Sequence, residues 1–209
     1  MPRKLLLITA ALVFLAIPAT AQARYSAQRV AQARVAIGHA PLVTARAAVN
    51  QQAAADCANA DIVPNAGNLD AVRDAIVCLH NQIRARNGLS QLKGSTRLQR
   101  AAEGHSADMV QARYFEHTAP SGATMVDRIL ASGYVRADQG WLLGENLEWG
   151  TGSLSTPRGA MNAWMNSPGH RANILKRGYR QLGIGISLGI PVGGTGNGAT
   201  ITVDFGVRR

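Results

Sequence analysis

The chain has 209 residues, of which 46% are hydrophobic and only 16% are charged, and its formal charge is +10. These totals suit one globular domain with additional sequence outside it. The arginines are scattered and form no basic run with interleaved aromatics, so the composition does not favour a nucleic-acid partner.

The N-terminus has the pattern of a secretory signal peptide. Residues 2–4 are basic, residues 5–19 form an apolar run, and A-T-A or A-Q-A offers a small-residue cleavage site, so residues 1–23 are assigned to the signal. The run is shorter than the roughly 20 residues that span a membrane. We therefore expect secretion to the outside or the cell envelope, with no stable membrane span once the signal is removed. An uncleaved anchor is the alternative.

Residues 24–67 are predicted to be a linker or leader, poorly ordered in part, because they lack sustained periodicity. Export places the only two cysteines, Cys57 and Cys78, in an oxidising compartment, so a disulfide between them is expected. Residues 68–209, the predicted domain, carry 16 basic and 10 acidic residues, a formal charge of +6. This charge favours an anionic cell wall or membrane surface as a contact, and an ordinary solvated surface is the alternative.

Four helices are predicted in the domain. The first begins after the N-cap Asn68, and the second begins near Thr96 in a capping box with Gln99. His105 lies on the apolar face of the second helix and is read as a core residue rather than a catalyst. The third helix covers residues 123–132, and the fourth opens at Thr156 with a proline in its first position.

The fourth helix leads into W-M-N-S-P-G-H-R-A-N-I-L, residues 164–175, which we interpret as a site candidate. Pro168 disfavours helical geometry in the preceding residue, and Gly169 permits a tight turn. His170 is therefore predicted to leave the helix on a fixed path. Glu145, in the short extended segment G-E-N-L, is expected to be partly buried and to need a histidine or arginine partner.

The C-terminal part predicts two strands. Apolar residues alternate with small or polar ones over residues 182–188 and again over 201–207. The glycine-rich connection at 189–198 lacks the lysine of a phosphate loop and precedes no helix, so it is predicted to be a hairpin loop. Together these elements predict an α+β layered domain with about four helices, a small, mainly antiparallel sheet and a C-terminal hairpin.

Several motifs in order resemble one family. They are H-N-Q-I-R-A-R-N-G-L, A-A-E-G-H-S-A-D-M, Y-F-E-H-T-A-P-S-G, G-E-N-L, A-W-M-N-S-P-G-H-R-A-N-I-L and T-V-D-F-G. The set resembles the CAP superfamily (SCP domain) of cysteine-rich secretory, antigen 5 and pathogenesis-related proteins, and is most similar to its bacterial secreted branch. The resemblance covers residues 68–209. It implies an α-β-α sandwich with a large cleft.

The resemblance also implies a tetrad of two histidines and two glutamates in that cleft. His117, Glu145 and His170 match three of its positions. Ser167 stands where the family pattern has the second glutamate, so Ser167 or Asn166 is expected to complete the site with a hydroxyl or an amide.

Three readings of this site remain open from the sequence. His117, Glu145 and His170 could line a binding cleft, or form a structural polar cluster, or hold a divalent metal such as zinc, with the two histidines as ligands. We expect a cleft that binds an envelope glycan, a lipid or a peptide, without strong catalysis. A metal-assisted hydrolase of peptide or cell-wall substrates and an envelope adhesion module are the alternatives.

Overall fold

The computed structural model describes residues 57–193 and 197–209. The predicted signal at residues 1–23, the leader up to residue 56 and residues 194–196 of the glycine-rich loop lie outside the described residues. Within the described ranges the helices are α1 (Leu69–Arg86), α2 (Thr96–Ala112), α3 (Met125–Ala131), α4 (Pro157–Asn166) and α5 (Pro168–Ile174), with a 3₁₀ turn at Gly152–Ser155. The strands are β1 (Lys93–Gly94), β2 (Trp141–Thr151), β3 (Gln181–Leu188) and β4 (Gly198–Arg208).

The four strands form one sheet in the order β1-β3-β4-β2. Strands β3 and β4 are the predicted C-terminal hairpin, and β2 pairs antiparallel with β4 along its full length. The two-residue strand β1, which the sequence did not predict, runs parallel to β3. Strand β2 therefore lies at one edge of the sheet, and the segment that carries Glu145 is longer than predicted.

One face of the hairpin carries the main hydrophobic core. The alternating apolar residues face each other across the two strands, with Leu182 opposite Phe205 and Ile184 opposite Val203. They pack in one cluster with residues of α1 and α4, including Val72, Ile76 and Trp164. The indole nitrogen of the fully buried Trp164 donates to the carbonyl oxygen of Leu147 at 2.9 Å, which satisfies its only polar atom.

Helix α2 covers the opposite face, where glycines allow its backbone to approach closely. A Cβ atom at Gly183 would collide with the backbone of Leu98 and Gln99, and one at Gly185 would collide with Ala102. The hydroxyl of Ser106 also donates to the carbonyl oxygen of Gly185 at 3.1 Å. With helices on both faces of the sheet, the predicted α-β-α sandwich is confirmed, with five described helices rather than about four.

The helix starts differ in detail from the prediction. Ser95, not Thr96, caps α2, since its backbone is extended and its side chain accepts from the amide of Leu98 at 3.4 Å. The capping box assigned to Thr96 is wrong, and a capping box is found instead at the start of α3, between Thr124 and Asp127. Asn68 precedes α1 but makes no side-chain cap bond. The predicted cap at Thr156, with Pro157 following, is confirmed.

The turn predicted around Pro168 is a second helix. Ser167 is extended, with φ −97° and ψ 119°, as expected for a residue before proline, and it separates α4 from α5. Pro168 then occupies the first position of α5, where its missing N–H costs nothing. Gly169 and His170 are helical, so His170 is held in the first turn of α5 rather than in a tight turn.

The predicted disulfide between Cys57 and Cys78 is present and ties the start of the described chain to α1. In the chain-entropy model, closing a loop of this size stabilises the fold by about 3 kcal/mol. Replacing both cysteines by serine is therefore expected to lower the free energy of unfolding by about 3 kcal/mol. Urea denaturation of the wild type and the double variant checks this, and equal midpoints would contradict it.

Among the residues that the structure describes, no helix combines the length and hydropathy needed to cross a membrane.

Candidate functional site

A buried carboxylate, Glu145, is the centre of the candidate site. Its side chain is only 2% exposed, and both of its oxygens have partners. His117 donates from Nδ1 to Oε1 at 2.7 Å, and Arg128 donates from Nη2 to Oε2 at 2.8 Å. The expectation that Glu145 needs a histidine or arginine partner is confirmed by both contacts.

The sheet directs Glu145 toward α2. Glu145 lies opposite Asp204 in the β2–β4 pairing, on the same face as the glycines of β3. The preceding residue, Gly144, faces the other side of the sheet. Its lack of a side chain makes room for the hydroxyl of Tyr179, with which a Cβ atom would collide. Asn173 of α5 donates to the carbonyl oxygen of Glu145 at 3.1 Å, which fixes the strand from that side.

Arg128 of α3 connects the carboxylate to the loop that carries His117. Its Nη2 also donates to the carbonyl oxygen of His117 at 3.0 Å, and its Nη1 donates to that of Ala123 at 3.1 Å. The capping box between Thr124 and Asp127 fixes the start of α3, and Arg128 follows it in the first turns of that helix. The sequence does not mark Arg128 as a site residue, because a lone arginine on a short helix carries no distinguishing pattern.

His105 of α2 is fully buried, as predicted, yet it lies beside the site. Its Nε2 is 3.0 Å from the carbonyl oxygen of Glu116 and 4.0 Å from Oε2 of Glu145. The hydroxyl of Tyr114 lies 3.4 Å from its Nδ1 and donates to the carboxylate of Asp108. Burial lowers the pKa of His105, although the charge of Glu145 opposes this, so the ring is neutral near pH 7.

The charges of the cluster hold Glu145 ionised. Burial by itself would raise the pKa of Glu145, but the hydrogen bond from His117 and the charge of Arg128 outweigh it and keep the pKa below its usual value. The same hydrogen bond raises the pKa of His117. The side chain of His117 is 56% exposed, so this imidazole presents the charge of the cluster to solvent.

A second carboxyl, Asp204, lies directly behind Glu145 in the sheet. It is fully buried, and neither of its oxygens has a hydrogen-bond partner in the described part of the chain. Burial and then the charge of Glu145 raise the pKa of Asp204 well above its usual value. The signal for this residue was the one charged position within the predicted strand at residues 201–207, between Val203 and Phe205.

His170, the third predicted site residue, approaches the cluster from α5. Its carbonyl oxygen accepts from the side-chain amide of the buried Asn146 at 3.1 Å. Burial and then the charge of His117 lower the pKa of His170. The structure shows no hydrogen bond between His170 and Glu145.

Neither residue predicted for the fourth position forms a hydrogen bond with Glu145 or His117 in the structure, and that assignment stays a prediction. Asn166 is exposed and lines two cavities, one of about 570 Å³ beside Asp61 and one of about 340 Å³ beside Arg171. Neither cavity is lined by His117, Glu145 or His170. Ser167 precedes α5 without a side-chain cap bond. The polar groups that do surround Glu145 are Arg128, His105 and Asp204.

The donor atoms around Glu145 are paired within the protein. Both carboxylate oxygens and Nδ1 of His117 are engaged in hydrogen bonds with each other or with Arg128. Across residues 57–193 and 197–209, no three or more His, Cys, Asp or Glu side chains are grouped so that they could hold a metal ion. The zinc pair of His117 and His170 stays a prediction.

The hydrogen bond to Glu145 sets the order in which the histidines titrate. His117 is expected to titrate above the ordinary value of about 6.5, whereas burial lowers the pKa of the fully buried His80 to about 4. The charged form of His117 thus stabilises the fold below pH of about 6.5, and this contribution is lost as the pH rises through the raised pKa. NMR titration of the histidine ring protons measures both values. A His117 pKa below 6.5 would contradict the account.

The layered fold and the buried Glu145 cluster define the class of the protein as an SCP-type α-β-α sandwich. The family model for the cysteine-rich secretory protein family, CAP, matches residues 77–194. The chain belongs to this family.

Two Bacillus subtilis (strain 168) proteins are similar in sequence. The protein YkwD is 33% identical over 120 residues, which are 56% of this chain and 43% of YkwD. The membrane protein YlbC is 35% identical over 111 residues, which are 53% of this chain and 30% of YlbC. The chain thus spans less than half the length of the curated relatives it matches.

Two solved structures share the fold. An extracellular protein containing a SCP domain from Bacillus anthracis str. Ames is 30% identical with a TM-score of 0.51, and the match covers 67% of this chain and 43% of that one. An outer surface protein from Borrelia burgdorferi is 20% identical with a TM-score of 0.54, and the match covers 70% of this chain and 97% of that one. The second likeness shows the fold alone.

Proposed function

We propose that the protein is a secreted CAP-domain protein that binds an extracellular ligand at His117, without strong catalysis. The observation that carries this proposal is the asymmetry of the cluster. Both oxygens of Glu145 are bound within the protein, whereas the imidazole it holds is more than half exposed. A carboxylate engaged in this way orients a hydrogen-bond donor for a ligand, and its lowered pKa makes it a weak base.

The charge of the site indicates the kind of ligand. Glu145 raises the pKa of His117, so a larger share of this imidazole is positive at neutral pH, and the whole predicted domain carries a formal charge of +6. Both features favour ligands with carboxylate or phosphate groups. Envelope glycan with its peptide stems, anionic lipid and acidic peptide share this chemistry.

Secretion is part of the proposal. It is supported by the signal-like residues 1–23 and by the likeness to the Bacillus anthracis protein, which is extracellular. Expression in a secreting host, followed by N-terminal sequencing, is expected to give a mature chain that begins near Gln22 or Arg24. An intact Met1 on the exported protein would support the anchor instead.

Cosedimentation tests the binding proposal. The wild type is mixed with purified peptidoglycan, with phosphatidylglycerol vesicles or with phosphatidylcholine vesicles, and is compared with His117→Ala and with the control Lys93→Ala. Lys93 is exposed on β1 and matches the loss of one positive side chain away from the cluster. We expect saturable binding to peptidoglycan or to the anionic vesicles, weakened about tenfold in His117→Ala and little in Lys93→Ala.

The other outcomes contradict the proposal in distinct ways. Equal weakening in the two variants, together with loss of binding at high salt, would indicate adhesion through the general basic surface. Release of soluble peptides from peptidoglycan or from a test protein, abolished in His117→Ala, would indicate a hydrolase. The absence of saturable binding to all three materials would reject a ligand of this class.

A further inference from the structure

One end of the sheet carries positive side chains from separate parts of the chain. Strand pairing places the start of β3 beside the end of β4, with Gln181 opposite Gly206, and β1 lies next to the start of β3. The amide of Lys93 donates to the carbonyl oxygen of Arg180 at 3.0 Å, and the amide of Arg180 donates to that of Gly206 at 3.1 Å. Arg208 is the last residue of β4, so these three cations lie at the same end of the sheet.

Two further segments bring more cations to this end. Lys176 and Arg177 follow α5, and Nη1 of Arg180 donates to the carbonyl oxygen of Arg177 at 2.6 Å. Arg97 lies in the first turn of α2, directly after β1, and its Nη1 donates to the carbonyl oxygen of Gly133 at 3.0 Å. All of these cationic side chains are exposed. The set, called the basic end below, consists of Lys93, Arg97, Lys176, Arg177, Arg180 and Arg208.

The cations of the basic end are not neutralised within the protein. In residues 57–193 and 197–209, none of them forms an ion pair with a carboxylate. Their own contacts are with carbonyl oxygens or, for Arg208, with the ring of Tyr134, and these leave the positive charge in place. Asp138, which precedes β2, is already paired with Arg136 at 3.3 Å.

Helix α1 shows how the charges are divided along the molecule. Asp70 and Asp74 lie in its first two turns, and the helix extends over about 27 Å. Its other end reaches the basic end, where the buried Arg84 donates to the carbonyl oxygen of Lys176 at 3.0 Å. Burial and then the charge of Arg180 lower the pKa of Arg84. Like charges held together repel each other, so the basic end lowers the stability of the unliganded fold.

The arginines and their spread favour phosphate groups on an extended chain. Four of the cations are arginines, whose planar guanidinium can donate two parallel hydrogen bonds to one phosphate. From Lys93 in β1 to Arg208 in β4 the basic end covers two strand spacings, or about 10 Å. A single small anion reaches only part of this width, whereas a chain of phosphates can contact several of the cations together.

The surroundings of the basic end do not suit a membrane or a nucleic acid. Proteins that lie on a bilayer insert apolar side chains into it. The exposed large apolar side chains of the described residues belong to other segments, at Val63, Leu154, Leu188 and Val192. Single-stranded nucleic acids stack their bases on aromatic side chains, and no aromatic residue in the described ranges is exposed.

We propose that the basic end is a second binding surface, for an extended polyanion that carries repeated phosphate groups and no bases. This surface is separate from the Glu145 cluster. Glu145 lies opposite Asp204 in β4, and Arg208 follows Asp204 at a distance of about 14 Å along the strand. The proposal therefore does not rest on the ligand-binding function proposed for His117.

Fluorescence anisotropy with labelled inorganic polyphosphate tests the proposal on the secreted protein. We expect saturable binding with a Kd on the order of 10 μM at about 50 mM salt. Raising the salt to about 200 mM is expected to weaken binding about 10–100-fold, because each phosphate contact releases counterions. Unlabelled polyglutamate, single-stranded DNA and phosphatidylglycerol vesicles are expected to compete less well than unlabelled polyphosphate at an equal concentration of anionic groups.

Charge-reversal variants locate the surface. Arg177→Glu and Lys176→Glu are each expected to weaken polyphosphate binding about tenfold, whereas Arg113→Glu is expected to weaken it less than about twofold. Arg113 is the matched control, because it is exposed and lies about 24 Å from Arg97, at the other end of α2. All three variants change the net charge equally. His117→Ala is expected to bind polyphosphate as the wild type does.

Three results would overturn the proposal. The first is the absence of saturable polyphosphate binding at about 50 mM salt. The second is equal weakening in Arg177→Glu, Lys176→Glu and Arg113→Glu, which would show that only the net charge matters. The third is competition by polyglutamate, DNA or vesicles that equals competition by polyphosphate. Thermal unfolding of each variant confirms that it is folded, and Lys176→Glu keeps the comparison valid if Arg177→Glu is destabilised.

Discussion

Glu145→Gln is expected to lower the free energy of unfolding by about 3–5 kcal/mol, the loss typical of breaking a buried ion pair from one side. The substitution leaves the guanidinium of Arg128, whose side chain is 13% exposed, without its carboxylate. It also places an amide in a position where both neighbours, His117 and Arg128, are hydrogen-bond donors. Urea denaturation at pH 7 measures the effect.

Glu116→Gln is the matched control for this prediction. Glu116 is exposed, and the site uses its backbone carbonyl, which accepts from His105. The control is expected to change stability by no more than about 0.5 kcal/mol. The same pair of variants tests the pKa account, because the His117 pKa should fall in Glu145→Gln and stay raised in Glu116→Gln. Similar small stability changes in both variants would show that the cluster is not a buried ion pair.

Gly183→Ala and Gly185→Ala are each expected to destabilise the fold by about 2–3 kcal/mol, the cost of overpacking a core. Each methyl group would collide with backbone atoms of α2, which cannot move aside as a side chain can. Helix α2 would have to shift away from β3, and it would carry His105 away from Glu145.

Gly94→Ala is the control for these strand glycines. A Cβ atom at Gly94, in β1, would meet nothing within 4 Å, so little change in stability is expected. Chemical denaturation measures all three variants, and the chemical shifts of the His105 ring report the displacement of α2. Gly183→Ala or Gly185→Ala with wild-type stability would contradict the view that glycines set the distance between α2 and the sheet.

The hairpin and the helices were predictable because their signals are local. Alternation along β3 and β4 marks the face that packs on α1 and α4, and the cap at Thr156 needs only its own side chain and the next helical turn. Helix α5, which begins at Pro168, was not predicted, because proline before a glycine is typical of a turn as well as of a helix start.

The site was predictable only in part, because its contacts join residues far apart in the chain. Glu145 was expected to need a cationic partner, but only the fold shows that Arg128 of α3 and His117 share that role. Asp204 reaches the site through strand pairing, which periodicity does not reveal. The fourth position was assigned to Ser167 or Asn166 from the motif alone. The placement of these two residues depends on the end of α4 at Asn166 and the start of α5 at Pro168.

Histidine side-chain NMR during ligand titration tests the central claim most directly, namely that the Glu145 cluster meets its ligand through His117. Soluble peptidoglycan fragments or phosphatidylglycerol nanodiscs are added, according to which material the cosedimentation selects. The His117 ring signals are expected to shift and saturate with the bound fraction, while those of the fully buried His80 stay unchanged. His117 signals that do not move when the protein is saturated would contradict it.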